Sequence, residues 1–126
     1  MLLIIINPIN KDKMKNILCI IGIILSIKIS AQTSIKTITL SVKGNCEQCK
    51  ERIENAADIK GVKKCTWSEK TQIATIIFDS SKTSEVSIEK AIAKAGHETA
   101  NQVADDKVYN RLPACCKYKQ GACHQK

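Results

Sequence analysis

Two cysteines three positions apart, Cys46 and Cys49, lie in the run Val42-Lys43-Gly44-Asn45-Cys46-Glu47-Gln48-Cys49. The thiolate, not the thiol, is the form of cysteine that binds metals and acts as a nucleophile. This spacing lets both sulfurs converge on one ion. Two thiolates alone suit a two-coordinate soft ion such as Cu(I) or Hg(II), whereas Zn(II) calls for two further ligands. The same spacing serves thiol–disulfide exchange, so a periplasmic thiol–disulfide oxidoreductase is the competing reading. That chemistry generally needs a proline loop facing the cysteines, and the chain's only prolines are Pro8 and Pro113.

Other residues of the same chemistry lie further along. Cys115, Cys116 and Cys123-His124 are near the C-terminus, as auxiliary metal ligands or as disulfide partners in an oxidising compartment. Cys65 falls at an inward strand position and reads as a buried, inert thiol. Lys50 and Arg52, just beyond the pair, can offset the negative charge of a bis-thiolate complex or can simply belong to a solvated helix face.

The elements that must position these groups follow from periodicity. Ile35, Ile38, Leu40 and Val42 alternate, with one slip, with Lys and Thr, which predicts a strand that Gly44-Asn45 breaks. Cys49, Ile53, Ala56 and Ala57 recur at three and four, which predicts a helix over 47–58 with acidic Glu47 in its first turn. Gly61 ends that region. Strands over 62–67 and 73–79, joined by a short polar turn, read as a hairpin. Ser84 caps a second helix running to Lys94, with Val86, Ile88, Ala91, Ile92 and Ala95 as its inner face and Gly96 closing it. A fourth, short strand is predicted over 97–103. The order β-α-β-β-α-β is that of a ferredoxin-like α+β sandwich: a four-stranded antiparallel sheet with two helices on one face. The cysteine pair then sits where a strand ends and a helix begins, where the helix N-terminus favours thiolate.

With the pair in that position, the chain resembles the heavy-metal-associated domain family of copper chaperones, copper-ATPase modules and the periplasmic mercury-binding protein. The resemblance rests on Gly44-Asn45-Cys46-Glu47-Gln48-Cys49, Gly61-Val62, Ile76-Ile77-Phe78-Asp79 and Ala95-Gly96-His97. It implies that Cys46 and Cys49 are the metal ligands. It also implies that the protein is no enzyme but sequesters a soft ion or passes it on by ligand exchange. Cu(I) is the first expected cargo, with Hg(II) and Zn(II) next, and a membrane metal transporter or another metal-binding domain is the expected partner. Two positions depart from the family pattern. A methionine usually stands two residues before the first cysteine and packs beneath the loop; here Gly44 gives up that apolar anchor. A tyrosine often follows the glycine after the second helix; here it is His97, a candidate third ligand or proton-linked gate because that loop lies beside the metal loop in this fold, with a surface or packing role the commoner reading of a lone histidine.

The ends and the composition set the context. Lys11, Lys13 and Lys15, the eleven apolar or small residues 17–27 and Ser30-Ala31 read as a cleaved secretory leader spanning 1–31, with Met14 a plausible true start. A retained anchor is the alternative, although crossing a bilayer takes about 20 apolar residues. The chain therefore divides into leader, metal-binding domain at 32–104 and cysteine-containing tail at 105–126, with a periplasmic or secreted location expected. From Gln32 onward sixteen Lys or Arg and eleven Asp or Glu leave a net +5, interspersed and without an aromatic-interleaved basic stripe, which gives no support to nucleic-acid binding.

Overall fold

The computed structural model describes residues 34–121. The expected leader at 1–31, Cys123 and His124 lie outside the described residues. Three strands form one antiparallel sheet: β1 (Ile35–Ser41), β2 (Val62–Ser68) and β3 (Ile73–Asp79), in the order β1-β3-β2. The central β3 pairs with both neighbours, Ile38 opposite Ile76 and Cys65 opposite Ile76. Its inward positions Ala74, Ile76 and Phe78 are buried between them. Off-phase Ile35 stays exposed, which is where the alternation slips.

Helix α1 (Glu47–Ala57) follows β1, and α2 (Glu85–Lys94) follows β3. Helix α1 buries Cys49, Ile53 and Ala57, a stripe at spacings of four. Helix α2 buries Ile88, Ile92 and Ala93 and is capped as its sequence predicts, the Ser84 side chain accepting from the Ser87 N–H. Both stripes join Leu40, Val42, Trp67, Ala74, Ile76 and Phe78 in a single core. No helix among the described residues is long and apolar enough to cross a membrane.

The predicted fourth strand is not formed; a single antiparallel bridge, Val42 to Thr99, stands in its place. The cause is a polar knot. Glu89, buried on α2, accepts from the Thr99 hydroxyl and from the Asn101 side-chain amide at 3.1 Å. Thr99 Oγ1 accepts in turn from the N–H groups of Asn101 and Gln102, and the Thr99 N–H donates to the Gln102 carbonyl. A buried carboxylate must be hydrogen-bonded, and satisfying Glu89 bends the chain where the β-α-β-β-α-β order predicts a strand. Only the start of the segment stays beside β1, with the Lys43 N–H on the Glu98 carbonyl at 2.8 Å.

Residues 105–121 pack against the rest of the domain. A short helix α3 (Asp106–Asn110), capped by the Asp105 carboxylate on the Lys107 N–H, leads into two 3₁₀ turns, Ala114–Cys116 and Tyr118–Gln120. Tyr109, Leu112 and Cys116 are buried in the same core as the helices. Gly96 adopts φ +99, and a Cβ there would lie 3.0–3.2 Å from the Leu112 side chain. One glycine thus ends α2 and gives the returning tail its seat.

Candidate metal centre

The loop after β1 is held by backbone before any side chain acts. The Val42 N–H donates to the Gln72 carbonyl in the β2–β3 turn, and Lys43 is tied to Glu98. Cys46 is the N-cap of α1, so its backbone is extended while its carbonyl already accepts from the Lys50 N–H. Its side chain caps nothing and is left to face Cys49 one turn on.

Beneath the loop lies Trp67. A Cβ on Gly44 would fall 2.9 Å from its indole and 3.0 Å from the Cys49 Cβ. The indole N–H donates to the Val42 carbonyl at 3.1 Å. The apolar anchor missing from Gly44 is therefore supplied from β2, and Gly44 is the residue that leaves the indole room.

Three sulfurs converge here. Cys46 Sγ lies 3.2 Å from Cys49 Sγ and 3.6 Å from Cys116 Sγ, and all three sulfurs fall within 4.8 Å of one another. Cys49 and Cys116 are fully buried, while Cys46 is partly exposed. Cys115 stands at the rim, its Sγ 4.0 Å from Cys116 Sγ and donating to Gln48 Oε1 at 3.0 Å. No disulfide links the cysteines among the described residues.

Their acidities differ in direction. Burial opposes the Cys46 thiolate, but hydrogen bonds from Cys49, Cys115 and Cys116 outweigh it and hold Cys46 below the ordinary thiol range. Burial pushes Cys49 up, against the Asn45 N–H that donates to its sulfur at 3.4 Å. Burial and the adjoining Cys49 and Cys46 raise Cys116 further. Cys46 is thus the member most readily present as thiolate and the one open to solvent.

The remaining expected residues sit as follows. His97 is fully buried beside the loop but outside the sulfur cluster: its Nδ1–H donates to the Lys43 carbonyl at 2.8 Å, and its ring stacks on Tyr118 at 5.7 Å. Its Nε2 is buried without a hydrogen bond. Burial lowers its pKa, with Arg52 adding to that and the Lys43 carbonyl opposing it. Cys65 is half-buried on β2, its thiol pushed up to about 11 by burial and by Glu54. Lys50 makes a long 3.9 Å ion pair with Glu47 on an exposed face. The convergence of Cys116 with the pair is the feature that spacing alone does not reveal, since 67 residues separate Cys49 from Cys116.

A three-stranded antiparallel sheet with two helices and a cysteine pair at the strand-to-helix junction defines a small metal-binding α+β domain. The chain belongs to the heavy-metal-associated domain family, whose model matches residues 39–98. It is 36% identical over 67 residues to the mercuric transport protein periplasmic component of Pseudomonas aeruginosa, a match spanning 52% of this chain and 74% of that protein. Among solved structures, oxidized MerP from Ralstonia metallidurans CH34 is 35% identical with a TM-score of 0.50, covering 54% of this chain and 99% of that one. The CopZ metallochaperone is 25% identical with a TM-score of 0.50, covering 52% of this chain and all of that one. The family is non-enzymatic and binds metal.

Proposed function

We propose that the protein binds one soft metal ion through the Cys46 and Cys49 thiolates, outside the cytoplasm, and either retains it or passes it to a partner by ligand exchange. The observation that carries this reading is the 3.2 Å approach of the two sulfurs at the start of α1, one open to solvent and one buried. Thiolate donors select soft ions, so Cu(I) and Hg(II) rank ahead of Zn(II), which prefers four ligands. In exchange, an incoming thiolate adds to the ion before Cys46 leaves it, and no substrate bond is made or broken.

Likeness to a mercuric transport component of the periplasm supports both an exported location and a membrane metal transporter, or a second metal-binding domain, as partner. The residue limits proposed for leader, domain and tail remain 1–31, 32–104 and 105–126. The test is titration of the reduced chain with Cu(I), Hg(II) and Zn(II) under anaerobic conditions. One equivalent of Cu(I) or Hg(II) held far more tightly than Zn(II) is expected. Failure to bind any of the three, with vigorous reduction of insulin disulfides, would replace this reading with the oxidoreductase one.

A further inference from the structure

The tail residue Cys116 has no counterpart in the two-cysteine loop, yet its sulfur lies 3.6 Å from that of Cys46 and within 4.8 Å of that of Cys49. We infer that Cys116 is a third thiolate ligand, delivered by a tail latched onto the domain, and that the centre is a closed three-sulfur site. The inference deepens the proposed metal binding and rests on it.

The sulfur geometry separates two modes. With metal–sulfur bonds of about 2.3 Å, a linear two-thiolate complex sets its sulfurs about 4.6 Å apart, while a trigonal three-thiolate complex sets them about 4.0 Å apart. The sulfurs of Cys46 and Cys49 stand at 3.2 Å, and those of Cys46 and Cys116 at 3.6 Å. Trigonal binding asks for a smaller opening of the pair and uses a third sulfur already on its edge. Linear binding asks the pair to spread by more than 1 Å beside a buried thiol that is then left idle.

Cys116 is held there by more than its own turn. Leu112 occupies the hollow over Gly96. The Tyr118 hydroxyl donates to the Gly96 carbonyl at 2.7 Å and accepts from the Glu98 N–H at 3.1 Å. Lys119 Nζ reaches Glu98 at 2.7 Å, and Cys115 donates to Gln48 on α1. The anchors fall on both sides of Cys116, and they grip the loop after α2 and the first turn of α1. A ligand whose position is fixed before the ion arrives costs less ordering entropy on binding.

Release follows from the same contacts. The third coordination position is the one an incoming partner thiolate must take during exchange. With Cys116 there, the ion leaves only after the tail yields that position. The site is thus biased toward retention, and its exchange rate is set by the tail.

The test uses the reduced full chain and its Cys116→Ser variant, loaded with one equivalent of Cu(I) or of Hg(II). X-ray absorption at the metal edge is expected to count three sulfurs in the parent and two in the variant. Competition with a chelator is expected to show at least about a tenfold loss of affinity, since even groups behind the ligands carry that much. Stopped-flow transfer to dithiothreitol is expected to be faster from the variant. Tyr118→Phe keeps every cysteine but loosens the latch, and it is expected to speed transfer in the same direction. Two sulfurs in the parent overturns the inference while leaving the cysteine pair as the site, and needs no variant to fold. A parent that binds neither ion overturns the underlying function as well.

Discussion

At the residue scale, Gly44 and Trp67 act as one unit. A side chain at Gly44 would press on the indole at 2.9 Å and on the Cys49 Cβ at 3.0 Å. Gly44→Ala is therefore expected to destabilise the fold by about 1–3 kcal/mol, the usual cost of overpacking. The check is its urea midpoint, with unchanged slope, against the parent. Gly44→Met is expected to cost more, because the space beneath the loop is taken by Trp67. His97 carries the second residue-scale prediction. Its folded-state pKa lies below the ordinary 6.5 because burial disfavours the imidazolium. The unfolded chain therefore takes up the proton first as pH falls. Stability contributed by neutral His97 is present above pH 6.5 and is lost as pH falls through the lower folded value. Arg52 adds to the lowering, and the Lys43 carbonyl that favours the imidazolium is outweighed by burial, so the sign stands. Unfolding midpoints of the metal-free chain are expected to drop between about pH 7.5 and about pH 5.5, and less so for His97→Asn.

At the element scale, the two helices and three strands are legible because each depends on neighbours in sequence. The apolar run over 73–79, the Ser84 cap and the stripe Cys49, Ile53, Ala57 are local signals, and the corresponding elements form where they point. The fourth strand fails because its fate depends on Glu89, ten residues from Thr99 in sequence, whose buried carboxylate takes the Thr99 hydroxyl. The element order carries no information about that partner. Glu89→Ala is expected to leave Thr99 and Asn101 without their acceptor and to destabilise by about 1–3 kcal/mol. Faster amide exchange concentrated at residues 99–102 is the accompanying signature. The cysteine pair was legible for the same reason as the strands, since spacing and the end of β1 suffice to place it. For Cys116 the sequence offers only one auxiliary ligand among several, and its convergence on the pair was not legible. It depends on Leu112 and Tyr118 meeting a glycine in another loop, and nothing within the tail encodes where that loop lies.

At the scale of the whole molecule, the tail completes the core and brings the Cys116 sulfur beside the cysteine pair. Tyr109, Leu112 and Cys116 are buried with the helices, and Tyr109 meets Tyr118 edge-on at 5.1 Å. Leu112→Ala is expected to cost about 2–5 kcal/mol, measured by urea unfolding, because it empties the hollow over Gly96. On the proposed three-sulfur reading, the contacts that hold the tail in the core are also the ones that place Cys116. The most direct test of the central claim is differential alkylation of the reduced chain, read residue by residue by mass spectrometry, with and without one equivalent of Hg(II). Protection of Cys46 and Cys49 by the ion, with Cys65 labelled equally in both samples after unfolding in acid-free denaturant, is the predicted result. Equal labelling of Cys46 and Cys49 with and without the ion would contradict the assignment.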